Sequence, residues 1–336
     1  MSTFDQSQNF LVNCLREAED SNNLFQRYQE LSRVFNQNVH PKITSMSISE
    51  DGIFLTDHGP DHIRQVISKA DQLAFQARDK LNNYETFLLL VAIHLHDIGN
   101  ALGRVGHEQK AREIWDLVYG PLAFDELDRD KAEQIASVHG GTFEGSKDTI
   151  RSLDRETTWN NHDIRPQYLA AILKLADEMA EDRHRANDIA IKLNRIKKGS
   201  EIHHFYAYGL HSIKCEARAC TMNMSYAYKK EYFERKFGSG THEIDLLDEI
   251  FARSLKMYSE ALYCSRYFRN SIRIDRVSVV VEIFGDRGRL IRRIPYVIEP
   301  IDYEEHGGAS IYDRVPSLSN YEGKGPLTPA LLASLI

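Results

Sequence analysis

Cysteine is scarce in this 336-residue chain, and long apolar runs are absent from it. The four cysteines, Cys14, Cys215, Cys220 and Cys264, form no Cys-x-x-Cys pair, so neither a thiolate zinc knuckle nor a disulfide framework is suggested. A reducing cytoplasm is the expected setting. The longest apolar stretch, Phe87 to Ile93, is too short to span a bilayer, and MSTFDQSQNF lacks the basic and apolar segments of a signal peptide. No membrane partner is expected. Positive charge is also in deficit: 42 Lys and Arg against 49 Asp and Glu leave a net charge of −7. Without an overall basic field, binding of duplex nucleic acid is not expected. A single strand stays open, because RIKKG at 195–199 and RGRLIRR at 287–293 are local basic patches with Tyr226, Tyr228, Tyr232 and Phe233 nearby in sequence.

What remains is an ordinary globular composition, 42% hydrophobic and 27% charged, over a length that allows about two domains. Apolar residues recur at helical spacing from Phe10 to Phe35, predicting two opening helices, and 36–59 reads as a loop. Five further helices are predicted over Asp61–Ala77, Tyr84–Asp97, Glu108–Val118, Asp130–His139 and Pro166–His184. Beyond Gly199 the period shortens to two. Strands are predicted around Ile213 to Ala217, Met222 to Tyr228 and Val277 to Ile283, with a hairpin partner in RLIRRIPYVI and one long helix over Ile244–Tyr267. The fold class is therefore mainly α with a C-terminal α+β module: a helical bundle followed by a small antiparallel sheet with one long helix.

Fourteen histidines stand out, and several occupy places meant for core residues. The Tyr84 helix is apolar nearly all round yet ends in His94-Leu95-His96-Asp97-Ile98-Gly99, and buried ionisable groups need partners. An imidazole beside a carboxylate at the end of a dry helix suits a hard-to-borderline divalent cation, and Gly99 would let the chain turn away. Asp177 follows Leu169 and Leu173 in steps of four. His62 shares a helix face with Ile63, Val66 and Ala70; His107 precedes Ala111, Ile114 and Val118; and His139 closes the stripe Ala132, Ile135, Ala136. His62, His96, Asp97, His107, His139 and Asp177 are the candidate ligands. His162-Asp163, in the polar stretch WNNHDIRP, carries the same dipeptide without the apolar setting and serves as the internal decoy.

The strings DHGPDHIRQV, HLHDIGN, GHEQKA, VHGG and YLAAILKLADEMA, over about residues 50–190, resemble the HD-domain metal-dependent phosphohydrolase superfamily. The resemblance implies a helical bundle around one or two divalent ions (Mn, Fe, Co, Ni, Zn or Mg, with Mn favoured) that hydrolyses a nucleotide or related phosphoester. His107 and His139 are similar to the extra ligands of binuclear members. A Gly-Tyr-Pro string after His139 and a Glu-Asp pair after His96-Asp97 are both missing, which argues against cyclic-dinucleotide and alarmone substrates. Catalytic roles fall to His96 and Asp97, with His58 as a candidate general acid. Phosphate contacts are expected from Arg104 and Arg183, and then from Arg64, Lys110 and Lys174. A metal-dependent nuclease and a nucleotide-sensing regulatory protein are the alternatives. The expected division is N-terminal helices at 1–50, the metal domain at 51–195, an accessory module at 196–300 and an extended tail at 301–336. The apolar end PLTPALLASLI suggests a homo-oligomer.

Overall fold

A computed structural model of the chain describes residues 9–18, 23–46, 48–49, 52–53, 59–102, 106–119, 124–300 and 310–336. It divides into two compact units that are not serial in sequence. One gathers 1–46, 58–180 and 264–272, and the other 47–57, 181–263 and 273–336.

In the first unit the helices are α1 (Phe10–Glu17), α2 (Leu24–Asn38), α3 (His40–Met46), α4 (Pro60–Gln76), α5 (Asn83–Leu95), α6 (Ala111–Tyr119), α7 (Glu126–Ser137) and α8 (Pro166–Met179). The loop expected at 36–59 thus contains a short helix. Leu31, Phe35, Val39 and Ile43, spaced by four and all buried, carry the apolar stripe of α2 onward into it. Every residue of α5 from Tyr84 to Leu95 is buried, as its run of apolar side chains requires, and α5 packs against α2, α7 and α8.

Both ends of this central helix are specified. At its start Asn82 and Glu85 form a capping box. Glu85 also accepts hydrogen bonds from the Arg165 backbone N–H at 3.0 Å, from Nε at 2.8 Å and from a terminal guanidinium nitrogen at 2.7 Å. One buried carboxylate therefore locks the start of α5 to the start of α8. Between α7 and α8 a hairpin, β1 (Thr157–Trp159) and β2 (His162–Ile164), turns through Asn160 and Asn161, whose φ of 48° and 62° suit an asparagine pair.

The second unit holds α9 (Asp188–Lys192), α10 (Glu201–Gly209), β3 (Leu210–Glu216), β4 (Thr221–Lys229), a hairpin of β5 (Lys236–Ser239) and β6 (His242–Asp245), α11 (Leu246–Ser265), β7 (Arg276–Phe284) and β8 (Leu290–Ile298). The last two residues of α11 fall in the first unit's segment. The four-stranded sheet has the order β8-β7-β4-β3. It is mixed rather than antiparallel: β4 and β7 pair in parallel, from Thr221↔Arg276 to Lys229↔Phe284. A helical connection through α11 makes a parallel pairing available where a tight turn would not. His203 and His204 lie on α10.

Period-two alternation buries Met222, Met224, Tyr226 and Tyr228 on β4 and Val277, Val279, Val281 and Ile283 on β7. The buried tyrosines are satisfied locally. Tyr206 and Tyr226 share a hydroxyl contact at 3.0 Å, Tyr228 donates to the Tyr206 carbonyl at 2.7 Å, and Tyr296 meets Ser254 at 2.9 Å. The tail contains α12 (Ile311–Arg314), α13 (Pro316–Ser319) and α14 (Pro329–Leu335). Leu318, Leu327 and Leu332 are buried within the chain, and Arg292 of β8 bonds Glu322 at 2.6 Å and the Leu335 carbonyl at 3.2 Å. The apolar end thus packs on its own unit. Among the described residues no helix is long and apolar enough to cross a membrane.

Candidate metal centre

Five segments deliver the candidate ligands to one place in the first unit. His62 lies in the first turn of α4, behind Pro60; His96 and Asp97 follow the last residue of α5; His139 follows α7; and Asp177 is near the end of α8. His107 opens a short 3₁₀ turn after Gly106, whose φ is +65°. Gly99 is needed for a reason other than the expected chain reversal. A Cβ on it would lie 1.9 Å from the His107 carbonyl oxygen, so glycine alone lets the 106–110 segment close over the end of α5.

The geometry is two triads joined by one carboxylate. His62, His96 and Asp177 form the first and Asp97, His107 and His139 the second, with the ligand atoms of each within 4.8 Å of one another. Asp177 Oδ1 lies 3.2 Å from His62 Nε2 and 3.6 Å from His96 Nε2. Asp97 divides its oxygens. Oδ2 faces the first triad, 3.6 Å from His62 Nε2 and 3.5 Å from His96 Nε2, while Oδ1 faces the second, 3.1 Å from His107 Nε2 and 3.7 Å from His139 Nε2.

Ring orientation is fixed from behind. His96 Nδ1 lies 2.7 Å from the Ile93 carbonyl and His139 Nδ1 2.7 Å from the Ala136 carbonyl, so each ring donates backwards and turns its Nε2 to the centre. Lys174, one turn before Asp177 on α8, donates to the His139 carbonyl at 2.7 Å and ties α8 to the end of α7.

The donor set fits a divalent ion. Two donors each 2.0–2.2 Å from one cation stand about 3 Å apart when adjacent and about 4 Å apart when opposite, which spans the separations here. His96 Nε2 is buried and makes no hydrogen bond, a costly state that a cation would relieve. Burial alone would depress His96, but the carboxylates of Asp97 and Asp177 outweigh it and hold the ring up at about 9. Asp177 is pushed up by burial, yet the imidazoles of His62 and His96 facing it at 3.2 and 3.6 Å outweigh this and hold it well below the usual carboxylate range. Mutual stabilisation of imidazoles and carboxylates is the electrostatic signature of a site built for positive charge.

Within the first unit the expected phosphate contacts Arg64 and Lys110 engage other partners. Arg64 is exposed and pairs with Asp61, because two residues along a helix from His62 place it on the far side. Lys110 reaches the Leu102 carbonyl at 3.5 Å. Arg183 lies in the second unit, 3.6 Å from Asp188 and 5.2 Å from the Tyr208 ring centre. His58 and Arg104 fall outside the described residues. The decoy behaves as one: His162 stacks on Tyr84 with ring centres 4.1 Å apart, and Asp163 accepts from Thr158 at 2.7 Å.

Two features escaped the sequence. His94 meets His40, with Nδ1 to Nε2 at 3.0 Å, and burial depresses the rings to about 3 and about 2. The four-residue stripe running through Val39 to Ile43, followed by Pro41 in a first helical turn, was the available signal for His40. Glu108, 3.3 Å from His107 Nδ1 and packed where a Cβ on Gly141 would stand, had no signal beyond its adjacency to His107.

A helical bundle that brings a His-Asp dipeptide together with a distant histidine and a final aspartate is an HD-type domain. Residues 53–253, more than half of the chain, match the HD-CE family, and the chain belongs to that family. No curated protein matches the chain. The His/Asp clusters can hold a divalent metal.

Proposed function

We propose that the protein is a divalent-metal phosphohydrolase that cleaves a phosphoester or phosphoanhydride of a nucleotide, with two ions, manganese favoured, held by the two triads. The observation that carries this reading is the division of Asp97: one carboxylate oxygen faces each triad, the arrangement that suits a bridging ligand between two cations. Ions held by His62, His96, Asp177, Asp97, His107 and His139 would lower the pKa of water towards neutrality and offset charge on the phosphoryl oxygens.

The chain's own residues do the rest. Asp97 joins the two triads, and the backward hydrogen bonds of His96 and His139 hold their rings with Nε2 facing the centre, as ligands to a cation would require. Lys174 and Glu85–Arg165 keep α5, α7 and α8 in register, so that the ligands these three helices carry meet at one place. Two complete triads support catalysis over passive sensing, since a sensor has no need of both.

Incubating the purified chain with manganese and a panel of nucleotides and single-stranded oligonucleotides, followed by chromatography of the products, tests the reading. Release of phosphate or a shortened nucleotide, lost on Asp97→Ala, is the expected result. Oligonucleotide cleavage with inert nucleotides would replace it with the nuclease alternative.

A further inference from the structure

A second polar recess lies in the same unit, at the opposite end of α5 from the metal centre. Twelve residues separate Tyr84 from His96, about 18 Å along a helix at 1.5 Å per residue. The cleft encloses about 370 Å³ and is lined by Arg27, Tyr84, Asp125, Asn160, Asn161 and His162 among others. Neither the motif at 94–99 nor the proposed hydrolysis uses any of these residues.

The walls are built rather than incidental. The Arg27 guanidinium sits 5.0 Å from the ring centre of Phe87 and 5.1 Å from that of Phe124, and pairs with Asp128, which is fully buried. Asp128 also accepts from the Tyr84 hydroxyl and, at 3.1 Å, from Asn160. The hairpin that carries Asn160, Asn161 and His162 is pinned from its other side by Trp159 Nε1, which donates to the Leu127 carbonyl at 2.8 Å. His162 lies on Tyr84 at 20° between ring planes, giving a flat aromatic wall beside carboxamides and a carboxylate.

This chemistry selects a ligand class. A planar ring extends the Tyr84–His162 stack, the Asn161 amide and Arg27 supply donors and acceptors for ring carbonyls and nitrogens, and Asp125, which already accepts from the Leu127 N–H at 2.8 Å and the Asn160 amide at 3.3 Å, keeps lone pairs for an exocyclic amine. Charge argues against a phosphate on that ligand. Arg27 is neutralised by Asp128, and Asp125 leaves the cleft with an excess of negative charge. We propose that this cleft binds an unphosphorylated nucleoside or nucleobase bearing an exocyclic amine, at a site distinct from the metal centre.

The test is ligand-observed saturation-transfer NMR and calorimetry on the full chain with adenosine, guanosine, cytidine, uridine and adenosine monophosphate. An amine-bearing nucleoside is expected to bind more tightly than uridine and at least fivefold more tightly than the monophosphate. His162→Ala should weaken it about tenfold or more, the order of loss expected when one stacking ring is removed. Asn161→Ala, at an exposed turn position, is a second variant that spares the fold and should also weaken binding. Asp97→Asn, at the metal centre, should leave nucleoside affinity unchanged. No binding by any nucleoside, equal affinity in both cleft variants, tighter binding of the monophosphate, or loss of binding in Asp97→Asn would each overturn the proposal. Because none of these readouts requires hydrolysis, they fail independently of the proposed activity.

Discussion

The two ends of α5 are both buried and both rich in polar atoms, yet they are resolved in opposite ways. At the start, Glu85 spends its carboxylate on Arg165 and on the Asn82 backbone, and Asp128 spends both oxygens on Arg27, Tyr84 and Asn160. At the finish, Asp97 and Asp177 stand among imidazole nitrogens at 3.1 to 3.7 Å, and His96 Nε2 finds no hydrogen bond at all. Folding stability needs buried polar groups satisfied within the chain. The first end meets that requirement, whereas the second leaves the buried His96 Nε2 without a hydrogen bond, facing a cluster that could hold a cation. The difference separates polar groups that hold the fold from polar groups that the fold holds in readiness.

The largest expected effect breaks the finish of the helix without touching its start. Asp97→Ala removes the shared carboxylate, so bound manganese should fall to near zero by elemental analysis, and any hydrolysis should drop by about 10²-fold or more, since loss of even an outer partner of a ligand costs 10–100-fold. The circular-dichroism spectrum should remain helical. Full metal retention would refute the shared-ligand geometry. His162→Ala and Asp163→Ala, which alter the decoy, should leave metal content unchanged. Next in size, His139→Ala should lower manganese from two ions per chain towards one while His62, His96 and Asp177 keep theirs. One ion per chain in both proteins would mean that the second triad holds no metal.

The candidate ligands were legible because their chemistry contradicts their setting. Asp177 on an apolar stripe and His96-Asp97 at the end of an apolar helix are conflicts between local pattern and residue type, and such conflicts can be read without coordinates. Contacts between distant segments could not be read this way. Nothing in the one-dimensional pattern joins Glu85 to Arg165 or Lys174 to the His139 carbonyl, and the phosphate contacts assigned by nearness in sequence failed at Arg64 because adjacency along a helix is not adjacency in space. The helix and strand periods gave the fold class, but the parallel pairing of β4 with β7 depends on the path of α11, which periodicity does not encode.

The complementary break is at the start of α5. Glu85→Ala leaves the half-buried Arg165 without its carboxylate and removes the capping box, changes of the kind that cost about 3–5 kcal/mol for a buried pair. Denaturant unfolding should show that loss, while manganese binding to the folded fraction persists. A variant as stable as the parent would mean that α5 and α8 are held by apolar packing alone.

The smallest effect concerns a carboxylate that belongs to neither extreme. Asp71 on α4 is buried and accepts from the Leu11 N–H at 2.9 Å, closing the start of α1. Burial pushes it up to about 7, against the pull of the backbone N–H groups of Leu11, Asn9 and Phe10. An unfolded aspartate titrates near 3.9, so between about pH 4 and pH 7 the folded chain binds more protons than the unfolded one. Stability contributed by this group is therefore greatest below pH 4, declines as pH rises to about 7 and is level above it. Asp71→Asn keeps an oxygen for Leu11 but cannot ionise. Unfolding free energies at about pH 4.5 and pH 7.5 should then differ less in the variant than in the parent, with the variant gaining most at the higher pH. Identical pH dependence in the two proteins would show that Asp71 is ionised in the fold at its ordinary pKa, and that three backbone N–H groups suffice to hold a buried charge where the metal centre uses imidazoles.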